Sequence, residues 1–358
     1  MSRSKGLMVF CLIGILALLI AGCNVGKPAA PAPDVKRPVR SVMSLGTREI
    51  GTTSYAVDVA VADAVTKFSG MRLVVEPVGG VRSWGPLIEK REMEIGSGDN
   101  YDILTYFMGT KEYSGIGTHP WMRQMYGSRN SVPGHLLVRK DSGVESWNDL
   151  VGKKVFASNP NMFALGWTTA TVLKRMGIAD KVTVLPFAST PDAWKEVIAG
   201  KAVGLVETMN PAAQEADKAV GIKLIPYPDL PGTIKALNDD LGVPGSFFEY
   251  AYPANYLGMS FKTDIPVIAN VTGVWVVPDD LPEETVYKMV EAADTHYNDY
   301  KTAFPRAAEI SLERTIKFQI LPFHSGVVKY LKDKNMWTPE VEAKQNVLMK
   351  IVTDMKKK

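Results

Sequence analysis

The sequence predicts an α/β protein of two lobes with a ligand cleft between them. Three features predict it. From Arg40 on, short β-rich runs alternate with helical patterns, the rhythm of a layered α/β architecture. A similar rhythm restarts at His135. In both halves polar loops follow strands and open helices, which is where α/β sheets take their ligands. The chain has 358 residues, and roughly 320 of them follow the N-terminal segments, enough for two ordinary domains.

Arg3 and Lys5 precede an apolar run from Leu7 to Ala21 that stops at Gly22 and Cys23. That is the layout of a secretory signal peptide over 1–22, and the run is too short for a comfortable membrane span. "LIAGC" reads as a lipobox: small residues suit a signal peptidase, and the Cys23 sulfur is placed to carry a diacylglycerol. The expected product is extracytoplasmic, in the periplasm or on the outer face of the cytoplasmic membrane, with its lipid anchor on Cys23. From 23 to 40 the chain alternates Pro and Ala and offers no large apolar anchor, so it reads as a partly extended tether.

"SVMSLG" reads as the first strand and "GTTS" as a loop. Residues 55–68 form a helix with Val57, Val61, Val65 and Phe68 on its apolar face and Gly70 at its end. "MRLVVEPV" is a second strand, "VRSWGPLIEKREM" a second helix and "YDILTYFM" a third strand. After His135 come a strand, a polar turn, a short Asp-Leu segment before Gly152, and the strand that ends in "VFASN". "MFALGWTTATVLKRMG" is a helix, "KVTVLPF" a strand, "PDAWKEVIAGKA" a helix begun by Pro, and "VGLVET" a strand. "IKLIPYPD" and "IPVIANVTGVWVVPDD" read as strands, and "LPEETVYKMVEAADTHYNDY" as an amphipathic helix whose acidic first turn suits its dipole. The first lobe takes 41–134 with 265–358, and the second takes 135–264. The ring-rich segment "FFEYAYPANYLG" suits a lid or a hinge-side wall.

Composition excludes several chemistries. Net charge is +3 with no basic patch, so no nucleic acid partner is expected. The two cysteines, Cys11 and Cys23, both lie in the N-terminal segment, which leaves no disulfide, thiol nucleophile or cysteine-bound zinc for the folded part. No G-x-S-x-G elbow, H-E-x-x-H pair, Walker loop or dinucleotide fingerprint is present, and His119, His135, His296 and His324 are scattered. No catalytic residue, metal or cofactor is expected. "LPFHSGVVKY" sets His324 beside Ser325 but lacks the context of a nucleophile, and His324 reads as a partly buried, hydrogen-bonded imidazole.

The candidate site gathers in loops. "GTREIGTTS" follows the first strand, "VGGVRS" the second, and "ASNPNMF" and "ETMNPAA" do the same in the second half. Each brings backbone N–H groups and hydroxyl or amide side chains to the start of a helix, where an anion is welcome.

These motifs resemble those of the TAXI class of TRAP transporter receptors, from about Val42 to about Trp337. The first loop is similar to G-T-G-S-x-G-G-T-x-Y, matched at Gly46, Thr47, Gly51, Thr53 and Tyr55 and departing at Arg48, Glu49 and Thr52. "VEPVGG" resembles V-E-x-T-G-G at Val75, Glu76, Gly79 and Gly80, with Val78 in place of the threonine. The tail resembles L-P-x-H-x-G-A-x-x-Y, matched at Leu321, Pro322, His324, Gly326 and Tyr330, where the turn looks structural and shapes a loop before the last helix. The class's G-S-G loop is "ASNPNMF" here, and its acidic residue near "VGLVET" is Gly204.

The resemblance implies a type II, periplasmic-binding-protein-like fold that closes on a small organic anion, an amino acid or dicarboxylate such as glutamate or 2-oxoglutarate. TRAP membrane permease subunits would receive it. N–H groups near Ile50, Gly51, Gly80 and Val81 would hold a carboxylate, helped by Thr47, Thr52, Thr53 and Ser83, with Arg48 and Arg82 as a charged clamp. Ser158, Asn159, Asn161 and Asn210 would donate and accept from the other side, and Phe163, Tyr250 and Tyr256 would form an apolar wall. Two alternatives are a lipid-anchored sensor that signals to a membrane partner, and an extracytoplasmic enzyme using Glu49, Asp102, Glu207 or a displaced histidine as a base.

Overall fold

The computed structural model describes Arg37, 40–50, 52–132, 134–160, 162–252, 264–304 and 306–357. The chain runs β1 (Val42–Gly46), α1 (Thr53–Ser69), β2 (Arg72–Glu76), α2 (Val81–Glu89), β3 (Ile95–Gly98), α3 (Asn100–Met108), β4 (Met122–Tyr126) and β5 (Arg129–Ser131). It continues with β6 (His135–Arg139), β7 (Lys154–Ser158), α4 (Phe163–Arg175), β8 (Thr183–Pro186), α5 (Thr190–Ile198), β9 (Gly204–Glu207), α6 (Pro211–Val220), β10 (Ile222–Ile225) and α7 (Leu230–Leu241). Then follow β11 (Phe248–Tyr252), β12 (Ile265–Thr272), β13 (Val274–Pro278), α8 (Glu283–Thr295), α9 (Tyr297–Tyr300), α10 (Leu312–Lys317), α11 (Ser325–Asp333) and α12 (Pro339–Met355). The α/β class read from the sequence is the class observed.

Two five-stranded mixed sheets carry the fold, in the orders β2-β1-β3-β13-β4 and β10-β6-β9-β7-β8. In the first, β1 runs parallel to β2 and β3 while β13 runs antiparallel to β3 and β4. In the second, β7 runs parallel to β8 and β9 while β6 runs antiparallel to β9 and β10. A third, antiparallel sheet, β11-β12-β5, joins them: β5 leads into β6, and β12 passes through Gly273, at φ 70°, into β13.

Helix signals fall where the residues demand. Thr52 caps α1 by accepting from the Tyr55 N–H at 3.2 Å, and Gly70 closes it in the left-handed conformation. Val57, Val61 and Val65 are buried beneath it. Three sequence expectations are corrected. "YDILTYFM" is a helix, α3, because a short continuous apolar run fits a strand buried on two faces or a helix buried all round. The helix wins through its caps: Asp99 accepts from the Asp102 N–H at 3.0 Å, and Gly109 is left-handed at the far end. All of 100–107 is buried. The third strand is instead β3, "IGSG", whose small residues give no alternation to read. The turn at His324 opens the penultimate helix, and α12 lies beyond the last element the patterning indicated. Arg37, within the stretch read as tether, is buried, with Nε 2.7 Å from Asp280 and Nη1 donating to the Met93 carbonyl.

Helix α2 lies close on the first sheet because glycines clear the way for Trp84. A Cβ on Gly96 would stand 2.3 Å from the Trp84 ring, and one on Gly46 would stand 2.7 Å from its Cβ. The indole is fully buried and donates to the Ser97 carbonyl at 3.1 Å. From there one apolar cluster runs through Tyr101 and Phe107 to Leu205 of the second sheet and to Trp147, Trp194 and Phe247 packed with it. A separate cluster fills the other face of the first sheet, with Val65, Met289 and Tyr330. The Gly96→Ala variant is expected to lose about 2 kcal/mol or more of unfolding free energy through overpacking, read as a lowered urea midpoint with unchanged slope.

Candidate functional site

Parallel order puts strand ends, and therefore loops, on common edges. The C-terminal ends of β1, β2 and β3 open the loops that start α1, α2 and α3, capped by Thr52, Gly80 and Asp99. The C-terminal ends of β7, β8 and β9 do the same for α4, α5 and α6, with Met162, Ser189 and Asn210 at the caps. Six helix N-termini thus point first-turn N–H groups along two edges, several of them met by their own caps.

Arg48 connects those edges. Its guanidinium lies 3.4 Å from the Asp99 carboxylate. Burial pushes the Asp102 carboxyl well above the usual range, Asp99 adds to the push, and the charge of Arg48 opposes it. On the second sheet burial likewise raises Glu207, opposed by hydrogen bonds from the Thr208 N–H at 2.8 Å and the Thr190 hydroxyl at 2.8 Å, and again by Arg48. One cation therefore acts on carboxyls from both sheets. Tyr113 stands at the same place: burial raises its phenol, Asp102, Asp99 and Glu112 add to the shift, and Arg82 opposes it.

The loop residues expected to bind divide into two groups. Arg48, Gly79, Gly80, Arg82 and Ser83 line the first edge, Arg82 and Ser83 exposed on the first turn of α2. No atom lies within 4 Å of where a Cβ on Gly80 would stand, so space opens before that helix. Ile50 is 71 % exposed beside them, and Thr53 and Tyr55 occupy the first turn of α1. On the second edge Ser158 is exposed, Asn159 is buried, and Phe163 meets Tyr113 edge-on with ring centroids 6.1 Å apart.

The other group spends its polar atoms inside the fold. Thr47 is fully buried and donates to Asp58; its N–H donates to the Glu76 carbonyl and its carbonyl accepts from the Gly79 N–H, both at 3.0 Å. Thr52 donates to the Glu49 carbonyl at 2.8 Å. Gly46 and Val81 are packing positions. Asn210 accepts from the Ala213 N–H at 3.0 Å and donates to the Thr208 carbonyl at 2.9 Å. Tyr250 stands on the third sheet, packed with Val132, Val267 and Ala269. Gly51, Asn161, Tyr256 and Cys23 lie outside the described residues.

Two acids at the heart of this arrangement were not among the binding residues expected. Asp99 precedes a run that passes for a strand, which hides its cap role. Asp58 lies among valines on α1; burial raises its carboxyl, against hydrogen bonds from Thr47 and from the Trp275 indole at 2.7 Å. His324 caps α11, its Nδ1 accepting from the Gly326 N–H at 3.1 Å. Among the described residues no group of three or more His, Cys, Asp or Glu is arranged to hold a metal ion, and no helix is long and apolar enough to cross a membrane.

A family profile matches residues 45–334, from the end of β1 past the end of α11. The chain belongs to the NMT1-like family. All six helix-opening loops of this NMT1-like chain fall inside the matched span. Comparison with curated protein sequences gives no match. Among solved structures the chain is similar to the periplasmic aliphatic sulphonate binding protein SsuA from Escherichia coli, at 11 % identity and TM-score 0.45, over 88 % of this chain and 93 % of that one. It is similar to the arginine-, lysine-, histidine-binding protein ArtJ from Geobacillus stearothermophilus, at 15 % identity and TM-score 0.40, over 73 % and 92 %. It is also similar to XAC2383 from Xanthomonas citri bound to ATP, at 11 % identity and TM-score 0.44, over 82 % and 99 %.

His135 opens β6 directly opposite Glu207 in the ladder and is fully buried. Burial pushes its imidazole down to about 3. The folded state therefore keeps it neutral while the unfolded chain protonates it near 6.5, so its contribution to stability is present above that value and is lost as pH falls toward 3. Between wild type and His135→Leu, the difference in unfolding free energy should move in the variant's favour by about 1.4 kcal/mol per pH unit below 6.5; a pH-independent difference would contradict a buried neutral imidazole.

Proposed function

We propose that this chain is an extracytoplasmic solute-binding receptor, tethered through Cys23, that takes up a small amino acid and delivers it to the membrane subunits of a TRAP-type permease. In this reading 41–134 with 265–358 form one lobe and 135–264 the other, and the solute lies between the two loop edges. What carries it is Arg48, 3.4 Å from Asp99 at the cap of α3, whose charge also works against the burial of Asp102 on α3 and of Glu207 on β9. Such a place has both signs of charge to offer, and a zwitterion matches both. Its carboxylate would meet the N–H groups around Gly80 and the exposed guanidinium of Arg82, a bidentate partner suited to it. Its ammonium would face Asp99 and Glu207. A dicarboxylate would set its second negative end against those acids, so the amino-acid half of the anion class fits better.

The receptor role needs no covalent step, and none of its residues is given one. His324 and Ser325 are a helix cap and its neighbour. No residue of the site is asked to move a proton, and the solute leaves as it arrived.

Isothermal titration with a panel of amino acids and matched dicarboxylates checks the reading. An amino acid should bind more tightly than the dicarboxylate of the same length and be recovered unaltered. Arg82→Ala should weaken binding about ten- to a hundred-fold, one charge-assisted contact being worth roughly 1.5 to 3 kcal/mol, with the melting temperature unchanged because Arg82 is exposed. Preference for the dicarboxylate, or turnover of the bound molecule, would sink the proposal.

A further inference from the structure

Beside the loop edges, the two sheet units touch through a compact set of side chains. Lys111 follows α3, and its ammonium lies 2.7 Å from the Asp240 carboxylate on α7. The same carboxylate accepts from the Trp167 indole N–H on α4 at 2.9 Å. The Trp167 ring lies between Tyr101 of α3, at 4.6 Å, and Phe247, at 5.4 Å. Beneath them the Asn100 amide donates to the Ser246 carbonyl at 2.6 Å and accepts from the Asn270 amide at 3.0 Å. Lys111 holds a left-handed backbone, φ 56°, which a lysine adopts only when its surroundings impose it.

We infer that Asp240, Lys111 and Trp167 form a clasp that holds the two sheet units closed with no solute present. Three features support this. Lys111–Asp240, Tyr101–Trp167 and Asn100–Ser246 join α3 or its following turn to α7, α4 and the segment after α7, while the Trp167–Asp240 bond ties α4 to α7 behind them, and none uses a cap residue of the six helix-opening loops. Lys111, one of five non-glycine residues with positive φ among the described residues, sits at the clasp, consistent with a residue held for what its side chain does. Asp240 is a shared acceptor, so losing it releases Lys111 and Trp167 together; both partners, Lys111 first, hold its carboxyl below the usual range. The consequence concerns kinetics: a solute enters only while the clasp is open, and the bound state keeps a closing force that owes nothing to the solute. The clasp stands whether or not the solute is an amino acid, because it uses none of the groups assigned to binding.

The test is the distance between spin labels on Asp63→Cys in α1 and Lys195→Cys in α5, both exposed, in the full chain with Cys11 and Cys23 replaced by serine and with no solute added. With the clasp intact the distance distribution should be single and narrow. Asp240→Asn should add a second, shifted population, raised roughly five-fold over background, as loss of one partly exposed ion pair with its hydrogen bond implies, and Trp167→Ala should shift it further. Pairing Asp240→Lys with Lys111→Asp restores the ion pair but not the Trp167 hydrogen bond, so it should reduce the second population relative to Asp240→Asn without abolishing it, while near-ultraviolet circular dichroism reports that each variant is folded. A broad distribution in the unaltered chain, or a single distance that survives both Asp240→Asn and Trp167→Ala in folded protein, would overturn the clasp.

Discussion

A carboxyl sealed in the core fixes where the first loop leaves its sheet. A buried acid is tolerable only with hydrogen bonds to spend, and Asp58 finds them in Thr47, just past β1, and in the Trp275 indole on β13. Thr47 is thereby pinned, and its carbonyl in turn takes the Gly79 N–H, which ties the second loop to the first. Arg48 is the next residue along, so its direction follows from that anchor. Trp84, bedded on Gly46 and Gly96, brings α2 down beside it and sets Arg82 at the rim.

With Arg48 so placed, electrostatics relates the two sheets. Asp102 and Glu207 are both buried carboxyls with raised affinity for a proton, and each is relieved by the same guanidinium. Charges of both signs at a place lined by helix N-termini favour a solute that carries both, and they disfavour a second negative group. The clasp at Asp240 borders this centre through Tyr101 but uses different polar groups and ordinary surface chemistry, an ion pair and an indole N–H. Recognition and closure can then be altered separately, because they rest on different residues.

The sequence made the strand and helix rhythm legible because period and punctuation agreed: valines every fourth residue in α1, Gly70 at its end, Pro at the start of α5. It misled at α3, where burial on every side erased the helical period and only Asp99 and Gly109 marked the ends. The loop edges were legible as a set, since Gly, Thr and Asn before a helix are read locally. Their roles were not, because a threonine that caps or braces looks the same as one that binds, and Thr47 and Asn210 brace. Asp58 and Arg37 act across long stretches of chain, on Trp275 and Asp280, and no local pattern announces such partners.

The central claim is that one solute is held by loops of both sheets around Arg48. Hydrogen–deuterium exchange, with and without the amino acid that gives the strongest calorimetric signal, tests it most directly. The account predicts slowed exchange in 47–54, 78–83 and 99–102 of the first sheet together with 158–163 and 207–211 of the second. Protection confined to one sheet, or centred on the groove lined by Arg123, Lys329 and Gln345 near α11, would contradict it.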